Sequence, residues 1–399
     1  MLKIGAASVD ITPAGPCHLS GYAARQQPSI GVHDPVFAKA LVMDDGNTKA
    51  AVVSCDLLGF TPAFSDELRT RLREEAGIPH SIVACTHTHS GPAPMGLVDC
   101  GDLDSSWLAE AADKIVQCVV DAQRQMVECR VRCGIGRADV AMNRRAKIGG
   151  QTVLLSTVNQ RPPEVPPGPV DPSLPVAQFI DKQGNAVAVL FGYACHAVCL
   201  GHENRLISAD YPGAACAALL RDRVFGLPMF LQGACGDVNP AVYHRSFDSA
   251  DAVGQAIAGS VADVLRSAQT LDASRIRFAE RRLELPLKGV DTRVGAVVSA
   301  LSCGAFAVAT MPGEAFVELG MQVRAGSPFK VTFVAGYANG NVGYIPTRSA
   351  YEEGGYEVDS AYYYYGYEAP LAPDAGEMVV TAALECLNEC SEGLHETGG

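Results

Sequence analysis

Ile82-Val83-Ala84-Cys85-Thr86-His87-Thr88-His89-Ser90-Gly91-Pro92 is the stretch on which the reading of this chain turns. Its first four residues form a short apolar run of the kind that makes a buried strand. Two histidines follow at the end of that run, and Gly91-Pro92 breaks the element. Side chains two apart on an extended chain share a face, so the spacing predicts both imidazoles looking into one cavity at the mouth of a sheet. That is where α/β enzymes keep their chemistry. Neutral imidazole is the commonest metal ligand, whereas two polar side chains in a surface loop is the plain alternative. His-X-His alone does not decide between them.

The rest of the chain alternates strand and helix patterns. Val36–Asp44 and Lys49–Phe60 read as strands joined by the turn Asp45-Gly46-Asn47. A helix is expected over about Phe64–Glu75, capped by Ser65 or Asp66, and a long amphipathic one over Ser106–Met126. Val176–Ile180 and Ala186–Ala194 read as a hairpin around Lys182-Gln183-Gly184-Asn185. Further strands are expected at Pro228–Gln232, Phe306–Met311 and Val331–Ala335, and helices near 212–223, 250–267 and 376–388. The proline cluster at 161–169 suits a linker or a stiff surface loop. Such alternation predicts the α/β class, mixed sheets flanked by helices. With no break in composition, one domain is expected over residues 1–390, followed by a polar tail at 391–399.

A formal net charge of -13 disfavours a protein that tracks a nucleic-acid backbone or an anionic membrane. Fourteen cysteines, several inside apolar runs and none in a Cys-X-X-Cys knuckle, suit buried thiols better than a disulfide framework or a thiolate zinc site. The start shows no apolar signal segment, and no uncharged apolar run approaches about 18 residues. These features predict a reduced, cytoplasmic setting without stable membrane insertion, and they leave a homo-oligomer open.

Four expected strands end in residues capable of catalysis: His87/His89, His196, Asp237/Asn239 and Glu314. Such groups gather at one edge of an α/β sheet. A catalytic zinc takes three nitrogen or oxygen ligands and keeps a position for water, which His87, His196 and Glu314 satisfy. The plain alternatives are a core histidine at 196 and, at 314, a carboxylate beside a helix N-terminus. No His-Glu-X-X-His helix, Gly-X-Ser-X-Gly elbow or P-loop appears.

Thr86-His87-Thr88-His89-Ser90-Gly91-Pro92 resembles the signature of the neutral/alkaline ceramidases, zinc-dependent amidases. The likeness continues in order through Gly5–Pro13, Gly21-Tyr22, Ser54-Cys55-Asp56, Asn143-Arg144-Arg145, Ala194-Cys195-His196, Leu206–Gly213, Gly236–Pro240, Pro312-Gly313-Glu314, Tyr344–Thr347 and Tyr356-Glu357. The resemblance implies zinc ligands at His87, His196, Glu314 and Tyr344. It implies transition-state or substrate contacts from His89, Arg144 and Tyr356, and amide hydrolysis by metal-activated water on a small N-acyl compound. Asp210 and Asp237 are candidates for orienting the ligands or moving protons. Two departures stand out. Asn239 replaces a serine of the family, although its amide could donate to an oxyanion, and a C-terminal immunoglobulin-like domain is not expected here. Rival readings are an ester or lactone hydrolase on the same site, a barrel amidohydrolase using His87/His89, and a non-catalytic binding protein on a lapsed enzyme scaffold.

Overall fold

The computed structural model describes residues 1–271, 275–304 and 306–392; the expected tail lies outside them from residue 393. Two open sheets lie face to face. The larger has nine strands, in the order Leu227–Gln232, Ala186–Tyr193, Ser173–Asp181, Val127–Arg137, Lys3–Asp10, Phe37–Asp44, Lys49–Cys55, His80–Cys85, with Gln269–Leu271 also paired to Val127–Arg137. The smaller runs Ile276–Pro286, Arg293–Cys303, Phe306–Thr310, Val331–Ala335. The strand path does not close, so the barrel reading fails.

Alternation along each strand explains the layering. From His80–Cys85, Val83 and Cys85 pack against the helices, while Ile82 and Ala84 enter the core between the sheets. Phe37–Asp44 splits the same way, Ala38, Ala40 and Val42 to one side and Leu41 and Met43 to the other. Both faces are covered, so these strands read as continuous apolar runs rather than alternating ones. On the outer face of the larger sheet, Ser105–Arg124 buries Ala111, Ile115 and Val119, an i, i+4 stripe. On the outer face of the smaller, Ala375–Ser391 buries Val379, Ala383, Cys386 and Leu387. The result is four layers, helix–sheet–sheet–helix.

Three parallel pairs set up the site. Lys49–Cys55 lies beside His80–Cys85, Ala186–Tyr193 beside Leu227–Gln232, and Phe306–Thr310 beside Val331–Ala335. Cross-links between the two sheets bring their C-terminal ends together. Asn339 N donates to Val83 O at 2.7 Å and Gly336 N to Gln232 O at 2.8 Å; within the larger sheet, the buried Gln232 side chain ties Cys195 O at 2.7 Å and Thr86 O at 3.2 Å.

Local expectations fared unevenly. Both turns form, with Gly46 and Gly184 at φ 92° and 91°. The first helix spans Pro62–Glu75 and its cap is Thr61, which accepts from Phe64 N, not Ser65 or Asp66. Pro62 is tolerated at the first helical position because no intrahelical N–H is needed there. Of the fourteen cysteines all but Cys17 and Cys129 are buried. Among the described residues no helix is long and apolar enough to cross a membrane. The proline-rich segment braces the Asn143–Arg145 segment: Asn143 Nδ2 donates to Pro169 O at 3.0 Å and Arg161 Nη2 to Asn143 O at 2.6 Å.

Candidate metal centre

Three imidazoles converge at the joined strand ends. The ligand nitrogens of His87, His89 and His196 all lie within 4.8 Å of one another. Glu314 Oε2 is 3.1 Å from His196 Nε2 and 3.4 Å from His87 Nε2. His87 and His89 do not meet through strand alternation, however. The strand ends at Cys85, and His87 takes φ 60°, in the left-handed region that non-glycine residues rarely occupy. A turn, not an extended face, brings the two rings to a centroid separation of 4.8 Å.

The other ring nitrogens define what these groups can do. His87 Nδ1 is 2.6 Å from Leu58 O, His196 Nδ1 is 2.6 Å from Cys235 O, and His89 Nδ1 is 3.1 Å from Gly21 O. A carbonyl only accepts, so each Nδ1 carries the proton and each Nε2 presents a lone pair. His87 Nε2 and His89 Nε2 are nevertheless 3.1 Å apart. Burial first, then the neighbouring imidazoles, drives His89 well below the ordinary histidine range; burial and the Arg144 charge bring His196 down to about 4. Burial alone would raise Glu314, but His87 and His196 hold it well below the usual carboxylate value. Neutral nitrogen lone pairs and a carboxylate aimed at one point repel one another unless a cation joins them. The donor set is the N/O set that zinc takes.

Glu314 is held from both sides. It pairs in a two-residue parallel ladder with Tyr344, and its Oε1 accepts the hydroxyl of Tyr365. Tyr344 in turn accepts from Arg144 Nη2 at 2.9 Å. Burial raises the Tyr344 phenol well above its ordinary value, while Arg144 pulls the other way. Arg144 Nε donates to Glu357 Oε1 at 3.0 Å and Arg145 Nη1 to Glu357 Oε2 at 2.6 Å, a buried Arg–Glu–Arg cluster. Tyr356 sets its ring edge-on to Tyr344 at 5.6 Å.

The aspartates serve elsewhere than expected. Main-chain carbonyls, not Asp210 or Asp237, accept the imidazole protons. Asp237 receives Asn143 Nδ2 at 2.7 Å and Val317 N at 2.8 Å, and so joins the segment before Arg144 to the helix after Glu314. Asp210 receives the amides of Cys199, Leu200 and Tyr211, which fixes the loop after His196. Burial raises both carboxyls to about 6. Asn239 donates one amide N–H to Leu155 O at 3.1 Å, and its Oδ1 is buried without a hydrogen-bond partner among the described residues.

The sequence profile described as "Neutral/alkaline non-lysosomal ceramidase, N-terminal" matches residues 2–252. The chain belongs to that family. Its curated relatives include a protein named neutral ceramidase from Drosophila melanogaster, 27% identical over 60% of this chain and 36% of that one. Another neutral ceramidase, from Mycobacterium tuberculosis, is 26% identical over 61% of this chain and 41% of its own length. The match thus spans about two fifths or less of those relatives. The crystal structure of neutral ceramidase from Pseudomonas aeruginosa superposes with a TM-score of 0.79 at 19% identity, covering 97% of this chain and 75% of that one. The neutral ceramidase fold is therefore that of this chain.

Within this ceramidase-family site, three contacts were not foreseen: Tyr365 on Glu314, Glu357 between two arginines, and Gly21 under His89. The last two are residues of quoted motifs, Tyr356-Glu357 and Gly21-Tyr22, to which no role had been given. Nothing distinguishes Tyr365 among its four consecutive tyrosines.

Two predictions arise here. Gly21 has φ 102°, and a Cβ on it would lie 2.4 Å from His89 Nδ1. Gly21→Ala should therefore displace that ring and lower kcat by about a hundredfold with metal content unchanged; steady-state rates and elemental analysis on the same preparation test this. Tyr365→Phe removes the donor that aims Glu314 and should weaken the centre's affinity for a divalent metal by about 10–100-fold. Competition against a chromogenic chelator measures it, and unaltered affinity would mean that Glu314 is positioned without this hydroxyl.

Proposed function

We propose that this chain hydrolyses the amide bond of a small N-acyl compound, with zinc held by His87, His196, Glu314 and Tyr344. One observation carries the reading: acceptor lone pairs of three imidazoles and a carboxylate converge while every Nδ1 proton is committed to the main chain. When bound, zinc would polarise the carbonyl and acidify a water.

The chain's own groups do the rest. His89 Nε2 is free to take a proton from the attacking water, because Gly21 O keeps the ring's own proton on Nδ1. This makes His89 an acceptor first, and a donor to the oxyanion or leaving amine only after it has been charged. Tyr356, its phenol raised by burial, keeps its proton and can donate to the oxyanion. Arg144, tied to Tyr344 and Glu357, contributes fixed positive charge. Asn239 lies in the same segment as the His196 carbonyl acceptors, with one N–H already engaged.

Zinc analysis of the purified protein, followed by a panel of N-acyl and O-acyl compounds, tests the proposal. Stoichiometric zinc with N-acyl turnover is expected. Turnover of O-acyl compounds alone would transfer the site to ester chemistry, and a protein with neither metal nor activity would be a binding scaffold.

A further inference from the structure

We propose that the wall of the centre beside His89 is an anion subsite, and that the N-acyl compound carries a carboxylate a few bonds from its amide. The inference rests on the amidase reading and narrows its substrate class.

The loops at 20–30 and 243–245 bring Arg25 and Arg245 to the Tyr22 ring, and Arg205 follows Asn204, whose carbonyl Arg25 takes. Arg25 is 4% exposed. Its guanidinium donates to Ser20 O at 2.7 Å, Asn204 O at 3.1 Å and the His89 carbonyl, and its Nε is buried without a partner. Arg205 donates to Gln27 Oε1 and Pro28 O. Half-buried Arg245 donates from Nη1 to Tyr22 Oη at 3.3 Å, and its Nε is likewise buried and unpartnered. Among the described residues no carboxylate comes within 4.0 Å of any of the three. Asp210 and Asp99, in neighbouring segments, give their oxygens to amides and to the Tyr363 hydroxyl.

Carbonyl acceptors satisfy a guanidinium's N–H groups but leave its charge unbalanced, and an unbalanced buried charge is costly. Burial lowers Arg25 only to about 10, so it stays cationic at neutral pH. In a chain of net charge -13 this local excess of arginine is out of character. A ligand's carboxylate would supply the missing negative charge, and guanidinium suits that group's planar geometry. The place is also right. The Tyr22 ring lies 4.9 Å from the His89 ring, with the Arg245 guanidinium carbon 5.9 Å and the Arg25 one 5.2 Å from its centroid. A carboxylate on Arg245 would therefore be one tyrosine ring away from His89. The α-carboxylate of an N-acyl amino acid has this proximity to its amide.

The test compares N-hexanoylglycine with N-hexanoylglycinamide, both by calorimetric binding and by hydrolysis, in wild type, Arg245→Gln and Arg245→Lys. We expect the carboxylate form to bind about tenfold more tightly, the preference to fall close to unity in Arg245→Gln, and Arg245→Lys to recover part of it. Equal or absent binding of the two compounds by wild type, or an undiminished preference in Arg245→Gln, would overturn the subsite. If the preference and its dependence on Arg245 hold while neither compound is cleaved, the subsite stands and the amidase reading falls. If both are cleaved with equal affinity, the reverse is true.

Discussion

His87→Ala and His196→Ala are each expected to yield a folded protein that purifies without zinc and turns over at least on the order of a thousandfold more slowly. Each removes an Nε2 lone pair from the centre, and each ring sits at the end of a strand whose core packing the substitution leaves in place. His89→Ala is the informative companion. Its Nε2 lies as close to His87 as a shared ligand would, so the geometry admits a three-imidazole set as well as the His87/His196/Glu314 set. We assign His89 to proton transfer, and His89→Ala should then keep zinc while losing turnover. Loss of zinc in His89→Ala would make it a ligand. Full zinc and full turnover in either of the first two variants would dismiss the centre altogether.

Replacing Glu357 with alanine should destabilise the protein by about 3–5 kcal/mol, the cost of leaving the buried Arg144 without a counter-charge, while Arg145 keeps Glu353 at 3.2 Å. The Glu357 side chain is 0% exposed and lies between two guanidiniums that are 8% and 7% exposed, so water cannot take over its role. The effect should reach the chemistry as well, because Arg144 orients Tyr344 only while Glu357 holds its Nε. Equilibrium urea unfolding and zinc affinity measure the two consequences. A change within about 1 kcal/mol, the scale of exposed pairs, would show that the cluster is solvated in solution.

Much of this site was legible from the strand ends. An apolar run that stops in a histidine or a carboxylate is visible in the residue order, and His87, His89, His196 and Glu314 were found that way. Tyr344 came only from the family resemblance, because its place depends on a two-residue ladder with Glu314 that has no apolar pattern of its own. Tyr365 and Gln232 were invisible for a related reason: their partners lie 51 residues away for Tyr365 and up to 146 away for Gln232. The orienting groups of the histidines were misassigned to aspartates because carbonyl acceptors leave no mark in a sequence; every residue has one. The fold class was readable from alternating elements, but the facing of two sheets was not, since a strand covered by helices and a strand covered by another sheet have the same apolar composition.

A histidine fastened to a carboxylate can be retuned by exchanging one side chain. The three here are fastened to Leu58, Cys235 and Gly21 through the peptide backbone. No single replacement of those residues deletes the acceptor, so the donor strength of the imidazoles is inherited from the path of the chain and is insulated from drift. Attempts to shift this scaffold toward a different metal would then find little purchase at the histidines. The adjustable half is the tyrosine and glutamate side, where hydroxyls and guanidiniums are exchangeable parts.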